Sequence, residues 1–487
     1  MSVFTLEAGL AILGLVLLMI EAFKPDISRT TLGLTAIAGT ALALVLLPFC
    51  GTTLPGFMQP WHQLDTLAFF YKGFALVITL LVLWLTLVCS PYLTRFTLEG
   101  KLAEMFSLPL IVCAGMMWMA SARDLVTVFV ALELVTVSFY VLVAFARKSA
   151  LSLEAGVKYL ILGALATGVL VFGIAWIYGA TGSMSFEGIA KALANPATSK
   201  AAALFGAAML LCGLGFKVAA APFHMWVPDV YQGAPTPVTA FLSVGSKAAG
   251  FVVLTRALDA FLATGSIIGT EVQAMLLVTG SLTVLLGSLP AMFQSSVKRL
   301  LAYSSISHAG YLILALACRD SARFDLSPGG VVAFYLATYL PMTVLGFLGL
   351  GLMRANGFGE ELKDFTGLAK RNPLLALLMT ISFASLAGLP LTAGFIGKLF
   401  VFLGLADHGY WGALTCAVIA AATGFYYYFK TILAMYTTEG TDVPVLSFSG
   451  ATKAVASALA VIILILGVYP KPLQKVLTPA PVAIALK

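Results

Sequence analysis

The sequence predicts an all-α polytopic membrane protein with about fourteen transmembrane helices, the seventh and the twelfth of them broken. Three observations carry that expectation. Of the 487 residues, 60% are hydrophobic and only 10% are charged, whereas a soluble domain is about 25% charged. The mean hydropathy is +1.01, which one buried core cannot absorb, because a dissolved surface must be polar. Apolar stretches close to the ~20 residues that cross a bilayer follow one another along the chain, joined by short polar connections. These facts exclude a soluble globular enzyme, a disordered chain and a disulfide scaffold.

Taken in order, the first span, 3–22, lacks a basic leader and a small-residue cleavage site, so it is expected to stay as a helix. The next four fall near 30–49, 68–90, 104–120 and 124–146. The sixth and seventh lie near 156–178 and 200–221, and the eighth to eleventh near 236–262, 272–291, 298–317 and 329–353. The last three lie near 373–405, 410–436 and 453–470. The longest polar stretches, 354–372 and 437–449, are too short for a domain that binds a nucleotide, flavin or iron–sulfur cluster. Connections after odd-numbered spans hold thirteen Lys and Arg, and those after even-numbered spans with the C-terminal tail hold nine. The positive-inside rule then puts the odd connections in the cytoplasm and both termini outside.

The net charge of +7 belongs with that topology. No basic cluster interleaved with aromatics suggests nucleic acid. The six cysteines are scattered without a CxxC pair and read as small hydrophobes rather than metal ligands.

Charged groups inside the spans are the candidates for chemistry, because each costs at least a few kcal/mol at mid-bilayer. Glu133 sits between long apolar runs of the fifth span; it is either a neutralised packing residue or a proton carrier. Pro222 cannot donate to the Val218 carbonyl, so the helix must break just past Lys217. That break calls for a hydrated, polar gap or burial in protein. His224 lies just beyond it and reads equally as a core hydrogen-bonding residue. Lys247 falls eleven residues into the eighth span, about 16 Å along its helix. His308 is surrounded by Ser304, Ser305 and Ser307. Lys398 follows Gly388, Pro390 and Gly394, a second break-then-lysine pattern. Lys158 stands four residues after Glu154, as an i,i+4 salt bridge or as the partner of Glu133. Arg256 and Lys430, near span ends, are expected to snorkel to the interface. The two broken spans lie five apart, the mark of an internal five-helix repeat; an odd number inverts successive copies, as in many transporters. A line of Glu, Lys, Lys, His and Lys suits lateral proton movement, since buried lysines exchange protons readily.

The stretches LELVTVSFYVL, GFKVAAAPFHMWVPDVYQGAPTPVTAFLSVGSKAAG, VKRLLAYSSISHAGYLI and GLPLTAGFIGKLFVF resemble the antiporter-like membrane subunits of respiratory complex I. The resemblance covers nearly the whole chain, and Lys398 places it with the branch that keeps a lysine where another has glutamate. It implies two inverted repeats, spans 4–8 and 9–13, with residues 1–98 as N-terminal helices, 99–264 and 265–437 as the repeats, and 438–487 as a C-terminal helix. It implies that Glu133 is the fifth-helix glutamate that pairs with a lysine, and Lys217 the central lysine of the first half-channel. Lys247 and His308 become connecting residues, Lys398 the terminal lysine, and Lys158 a basic position of the sixth helix. The implied activity is proton translocation coupled to electron transfer from NADH to quinone. No cofactor is expected in this chain; FMN and iron–sulfur clusters belong to partner subunits. The implied partners are neighbouring membrane subunits and the peripheral arm, within the lipid of the cell inner membrane, with periplasmic termini. Two other readings stay open: a cation/proton antiporter subunit of Mrp type, against which PDVYQGAPTPV argues, and the membrane subunit of a ferredoxin-linked relative.

Overall fold

The computed structural model describes residues 2–24, 26–51, 56–97, 100–318, 326–437, 446 and 448–478. Arg319, Arg323 and Lys487, counted above as loop or tail cations, lie outside the described residues. Helices α1 (Val3–Phe23), α2 (Arg29–Leu46), α3 (Thr66–Leu93), α4 (Ala103–Ser121) and α5 (Leu125–Val143) cross in turn. Next come α6 (Ala150–Thr181), the short amphipathic α7 (Phe186–Leu193), α8 (Lys200–Val218) and α9 (Val227–Gly233). Helix α10 (Thr236–Phe241) runs through a π-helical turn, Leu242–Ser246, into α11 (Lys247–Phe261). The second half holds α12 (Gly269–Ala291), α13 (Val297–Ala317), α14 (Pro328–Ala355), α15 (Leu368–Arg371) and α16 (Pro373–Ala387). It closes with α17 (Ala393–Asp407), α18 (Trp411–Tyr436), α19 (Gly450–Val468) and α20 (Lys471–Leu477). Among the described residues, 13 helical stretches are long and apolar enough to cross a membrane. The broken α16–α17 pair supplies one more crossing.

Polar N-caps start many of these helices. Asp65, Asp124, Ser199, Ser296, Ser327, Asn372 and Ser449 each accept a first-turn backbone N–H, which satisfies a donor the helix cannot. Both expected breaks are present. Helix α8 stops at Ala219, which is left-handed with φ 67°, and α16 stops at Gly388, left-handed with φ 91°. Glycine takes that conformation without cost, whereas alanine pays about 1–2 kcal/mol.

Burial sorts the crossings into an interior and a rim. Thr236–Phe261, Val297–Ala317 and Pro328–Ala355 are buried over 94–100% of their apolar length, while α6 and α18 are buried over only 28%. Leu151, Val157, Leu165 and Phe172 lie exposed along α6, as a lipid-facing helix requires. The innermost helices are therefore those that carry Lys247, His308 and their aromatic neighbours.

Three expectations need correction. Lys72, counted above as a loop cation, lies inside α3 with 0% exposure. It already falls inside the span expected at 68–90, and the packing of α3 on α1 and α4 buries it against Glu7, Met117 and Ser121. Arg256 does not snorkel; it is 5% exposed and reaches Asp65 and the Ala120 carbonyl. Helix α6 starts at Ala150, six residues before the span expected at 156–178, and carries both Glu154 and Lys158.

Candidate functional site

The first group forms where α8 ends. Lys217, 7% exposed, donates through Nζ to Thr136 Oγ1 at 2.6 Å. Thr136 donates in turn to the Leu132 carbonyl at 2.7 Å, so its lone pair faces the ammonium. Glu133 stands one turn before Thr136 on α5 and accepts from Thr167 Oγ1 of α6 at 2.8 Å. Thr136 thus separates the carboxylate from Lys217, and no ion pair joins them. The indole Nε1 of Trp226 donates to the Phe216 carbonyl at 3.0 Å, closing one of the orphan groups at the helix end. Two clefts of about 230 and 240 Å³ flank the break at Pro222 and Phe223. The polar gap expected there is absent from both: apolar side chains such as Leu211, Leu165 and Phe223 line them, and Lys217 lines neither.

The second group follows the π turn. Such a turn widens a helix locally and often marks a functional site. Directly after it, Lys247 is 2% exposed and donates to the carbonyl and the hydroxyl of Ser305 on α13. The Ser305 hydroxyl meets Ser243 Oγ at 3.3 Å and Tyr231 Oη at 3.4 Å, and Ser243 meets Tyr339 Oη at 3.0 Å. One turn beyond Ser305, His308 is 2% exposed and its Nδ1 lies 2.7 Å from Tyr335 Oη. Its ring also packs 4.9 Å from that of Tyr339.

The third group forms at the second break. Lys398, 5% exposed, donates to the Leu386 and Ala387 carbonyls at 2.9 and 2.7 Å. These are the last carbonyls of α16, where a helix dipole favours a cation. Its Nζ lies 5.5 Å from the Tyr311 ring centroid, and Tyr311 stacks on Tyr335. Lys247, Ser305, Ser243, Tyr339, His308, Tyr335, Tyr311 and Lys398 therefore form one contiguous strip across the π turn, α11, α13, α14 and α17. The α8 backbone at Lys217 packs beside it at Gly250, where an added Cβ would come 3.6 Å from Lys217 Cβ, while the Lys217 ammonium itself turns to Thr136 on α5. Gly250 is a single turn past Lys247.

Gly388 makes room for the lysine. A Cβ there would lie 3.1 Å from Lys398 Cδ and 3.3 Å from Nζ, on a backbone with φ +91°. Gly388→Ala is expected to cost about 1–2 kcal/mol of backbone strain and to displace the Lys398 ammonium. A lowered melting temperature of the purified protein, together with slower proton transport in vesicles, checks this.

Three predicted residues fall outside the strip, Glu133 on Thr167 among them. Lys158 binds Glu154 at 2.7 Å and Asp229 at 2.7 Å, so the i,i+4 pair forms and Glu133 is not its partner. Asp229 also holds Arg299 at 2.8 Å, tying α6, α9 and α13 together. His224 is half-buried in the turn after the break, with Nδ1 lacking a partner. The tyrosines of the strip escaped the sequence reading. Their signal was the i,i+4 pair Tyr335 and Tyr339 on one face of the eleventh span.

Broken helices of membrane length, with lysines buried at the breaks, define a multi-pass, antiporter-like membrane subunit. Residues 122–424 match the family model described as NADH:quinone oxidoreductase/Mrp antiporter, TM. NADH-quinone oxidoreductase subunit N of Desulforamulus reducens is 37% identical over 100% of this chain and 99% of its own. A chain of respiratory complex I from Thermus thermophilus, solved with bound Aureothin, is 32% identical with a TM-score of 0.80, covering 98% of this chain and 100% of that one. A chain of a membrane-bound sulfane sulfur reductase, an archaeal respiratory membrane complex, is 26% identical with a TM-score of 0.83, covering 97% and 96%. The chain belongs to the NADH:quinone oxidoreductase/Mrp antiporter membrane family, in its NADH-quinone oxidoreductase subunit N branch.

Proposed function

We propose that this chain is the proton-translocating, non-redox membrane subunit of an NADH:quinone oxidoreductase. One observation carries the reading: the buried strip from Lys247 to Lys398 lies on the innermost helices of a membrane bundle, with buried Lys217 packed beside it. Lysines are the carriers, since a buried ammonium releases its proton far more readily than an exposed one. Serine and tyrosine hydroxyls and His308 stand between them as groups that both donate and accept. Charge arriving at one lysine raises the energy of charge on the next, because Coulomb forces are strong where water is scarce.

Glu133 acts on the charge state at the Lys217 end through space, across Thr136. The two helix breaks, each ending in a left-handed residue, support two inverted five-helix units at 99–264 and 265–437. Electrons, FMN and iron–sulfur clusters belong to partner subunits of a peripheral arm, and the neighbours in the membrane are other antiporter-like and small subunits. The setting is the cell inner membrane with both termini on the periplasmic side.

Glu133→Gln keeps the shape and the Thr167 hydrogen bond while removing the charge. The assembled complex is expected to lose about two-thirds or more of its NADH-driven proton uptake, and Glu133→Asp to keep more than Glu133→Gln. Wild-type proton uptake by the Gln variant would return Glu133 to a packing role. A purified complex that reduces quinone from ferredoxin but not from NADH would replace NADH as the donor.

A further inference from the structure

Among the described ion pairs none is as buried as Glu7 with Lys72, whose side chains are 2% and 1% exposed. The pair lies off the lysine strip. Glu7 is in the second turn of α1 and Lys72 in the second turn of α3, at the end of the bundle where α4 finishes. Lys72 spends its remaining donors on the Met117 carbonyl at 2.8 Å and Ser121 Oγ at 3.0 Å. A buried pair of this kind adds little net stability, because desolvation offsets the attraction. An ionisable residue within a span is by default a functional one.

A second observation points the same way. His62, 7% exposed in the turn before α3, sets its ring 5.9 Å from that of Trp118, edge to face. Both of its ring nitrogens lack a protein partner, although buried polar atoms almost always have one. Burial first, and then the charge of Lys72, push its imidazole down to about 4, with Asp124 opposing. The ring therefore stays neutral and offers one donor and one acceptor nitrogen. The charged groups around this end are Glu7 on α1, Lys72 on α3, Asp124 and Asp65 at the caps of α5 and α3, Arg256 and Asp259 on α11, and the Arg123–Glu187 pair next to Trp61. Arg256 donates to the Ala120 carbonyl at 2.6 and 3.1 Å, so it and Lys72 grip the same end of α4. It lies nine residues beyond Lys247 on α11, about 13.5 Å along the helix.

We propose that Glu7, Lys72 and His62 form a proton-exchange site, distinct from the lysine strip, between the bundle interior and the water at the start of α3. It rests on the proton-translocating reading above. The Lys72 ammonium passes a proton to the Glu7 carboxylate, leaving a neutral amine and a neutral acid. The acid gives that proton to a water held on the acceptor nitrogen of the neutral His62 ring, and that water passes a proton outward past the start of α3. The Lys72 amine then takes a proton from the interior, and both charges are restored.

The test uses the whole complex in sealed vesicles, reading protons moved per NADH oxidised with a pH-sensitive dye. The variants are Glu7→Gln with Lys72→Met together, His62→Phe, and Lys217→Ala as reference. The double variant is expected to assemble, since apolar or neutral groups replace a buried pair without leaving a lone charge. Its proton yield, and that of His62→Phe, is expected to fall about twofold or more. A wild-type yield in the assembled double variant and in His62→Phe overturns the site and leaves a structural pair. Should the double variant not assemble, His62→Phe decides alone, because it keeps both charges and the contact with Trp118. A loss with Lys217→Ala beside wild-type yields in the others overturns only this site; a wild-type yield with Lys217→Ala overturns the strip itself.

Discussion

Lys217→Ala is expected to leave an assembled complex whose proton-coupled NADH oxidation runs about tenfold slower than wild type. A positioned proton-transfer group is typically worth about 10²–10⁴-fold; the strip from Lys247 to Lys398, beside which Lys217 packs, stays intact and keeps part of that. Assembly survives because Lys217 contributes one side-chain hydrogen bond, to Thr136, and helix α8 keeps its Trp226 closure at Phe216. Lys217→Arg separates a carrier from an anchor. The guanidinium restores the charge but does not deprotonate in a protein, so it should not restore turnover. Lys191→Ala, at a lysine 75% exposed in a surface pair with Glu187, should stay within about 0.5 kcal/mol in stability and transport like wild type. Quinone-coupled NADH oxidation, with a proton-gradient dye at matched complex content, reads all three. Wild-type pumping by Lys217→Arg would make Lys217 a fixed charge.

Lys398→Met should have a comparable effect on transport and a larger one on stability. The lysine stem stays, but the Leu386 and Ala387 carbonyls lose their donor. Leaving buried polar groups unpaired costs about 1–3 kcal/mol each, although water at the break offsets some of that. The expected result is a lower melting temperature and a roughly tenfold loss of coupled turnover. Lys398→Arg should recover the melting temperature, since it can donate to both carbonyls, without recovering the turnover. Full recovery of both by arginine would show that capping α16 is the whole role of Lys398.

The broken helices were legible because proline and glycine act locally. Pro222 removes a donor, and Gly388 admits a left-handed residue, whatever surrounds them. Lys217, Lys247, His308 and Lys398 were legible for the opposite reason: a charge far from any polar stretch stands out in an apolar background. Glu7 and Lys72 did not stand out. Each lies within two turns of a helix start, where hydropathy alone cannot separate an interfacial charge from a buried one. What buries them is the packing of α1 and α3 on α4, a tertiary fact. Lys158 shows the converse. Its i,i+4 partner Glu154 was visible, but its second partner, Asp229, arrives from 71 residues away by way of the broken seventh span. The tyrosines between the lysines were hidden because aromatic residues on an inner helix usually only pack.

The π turn before Lys247 has a consequence for rotational phase. An α-helix advances about 100° per residue, and this turn sets α11 out of phase with α10. Helix α10 packs chiefly against α3 and α14, while α11 keeps contact with both and adds α7, α8 and α4. One crossing therefore gains neighbours past the turn without interrupting its rod. Five residues at the wider π spacing turn about as far as four at α spacing, so the turn absorbs one extra residue while the helix beyond it keeps its place. Losing one residue between Leu242 and Ser246 would close the turn into regular α-helix and leave Lys247 on Ser305 and Arg256 on Ala120. Losing one within α11 itself has no such buffer and would turn every residue beyond the gap by roughly 100°.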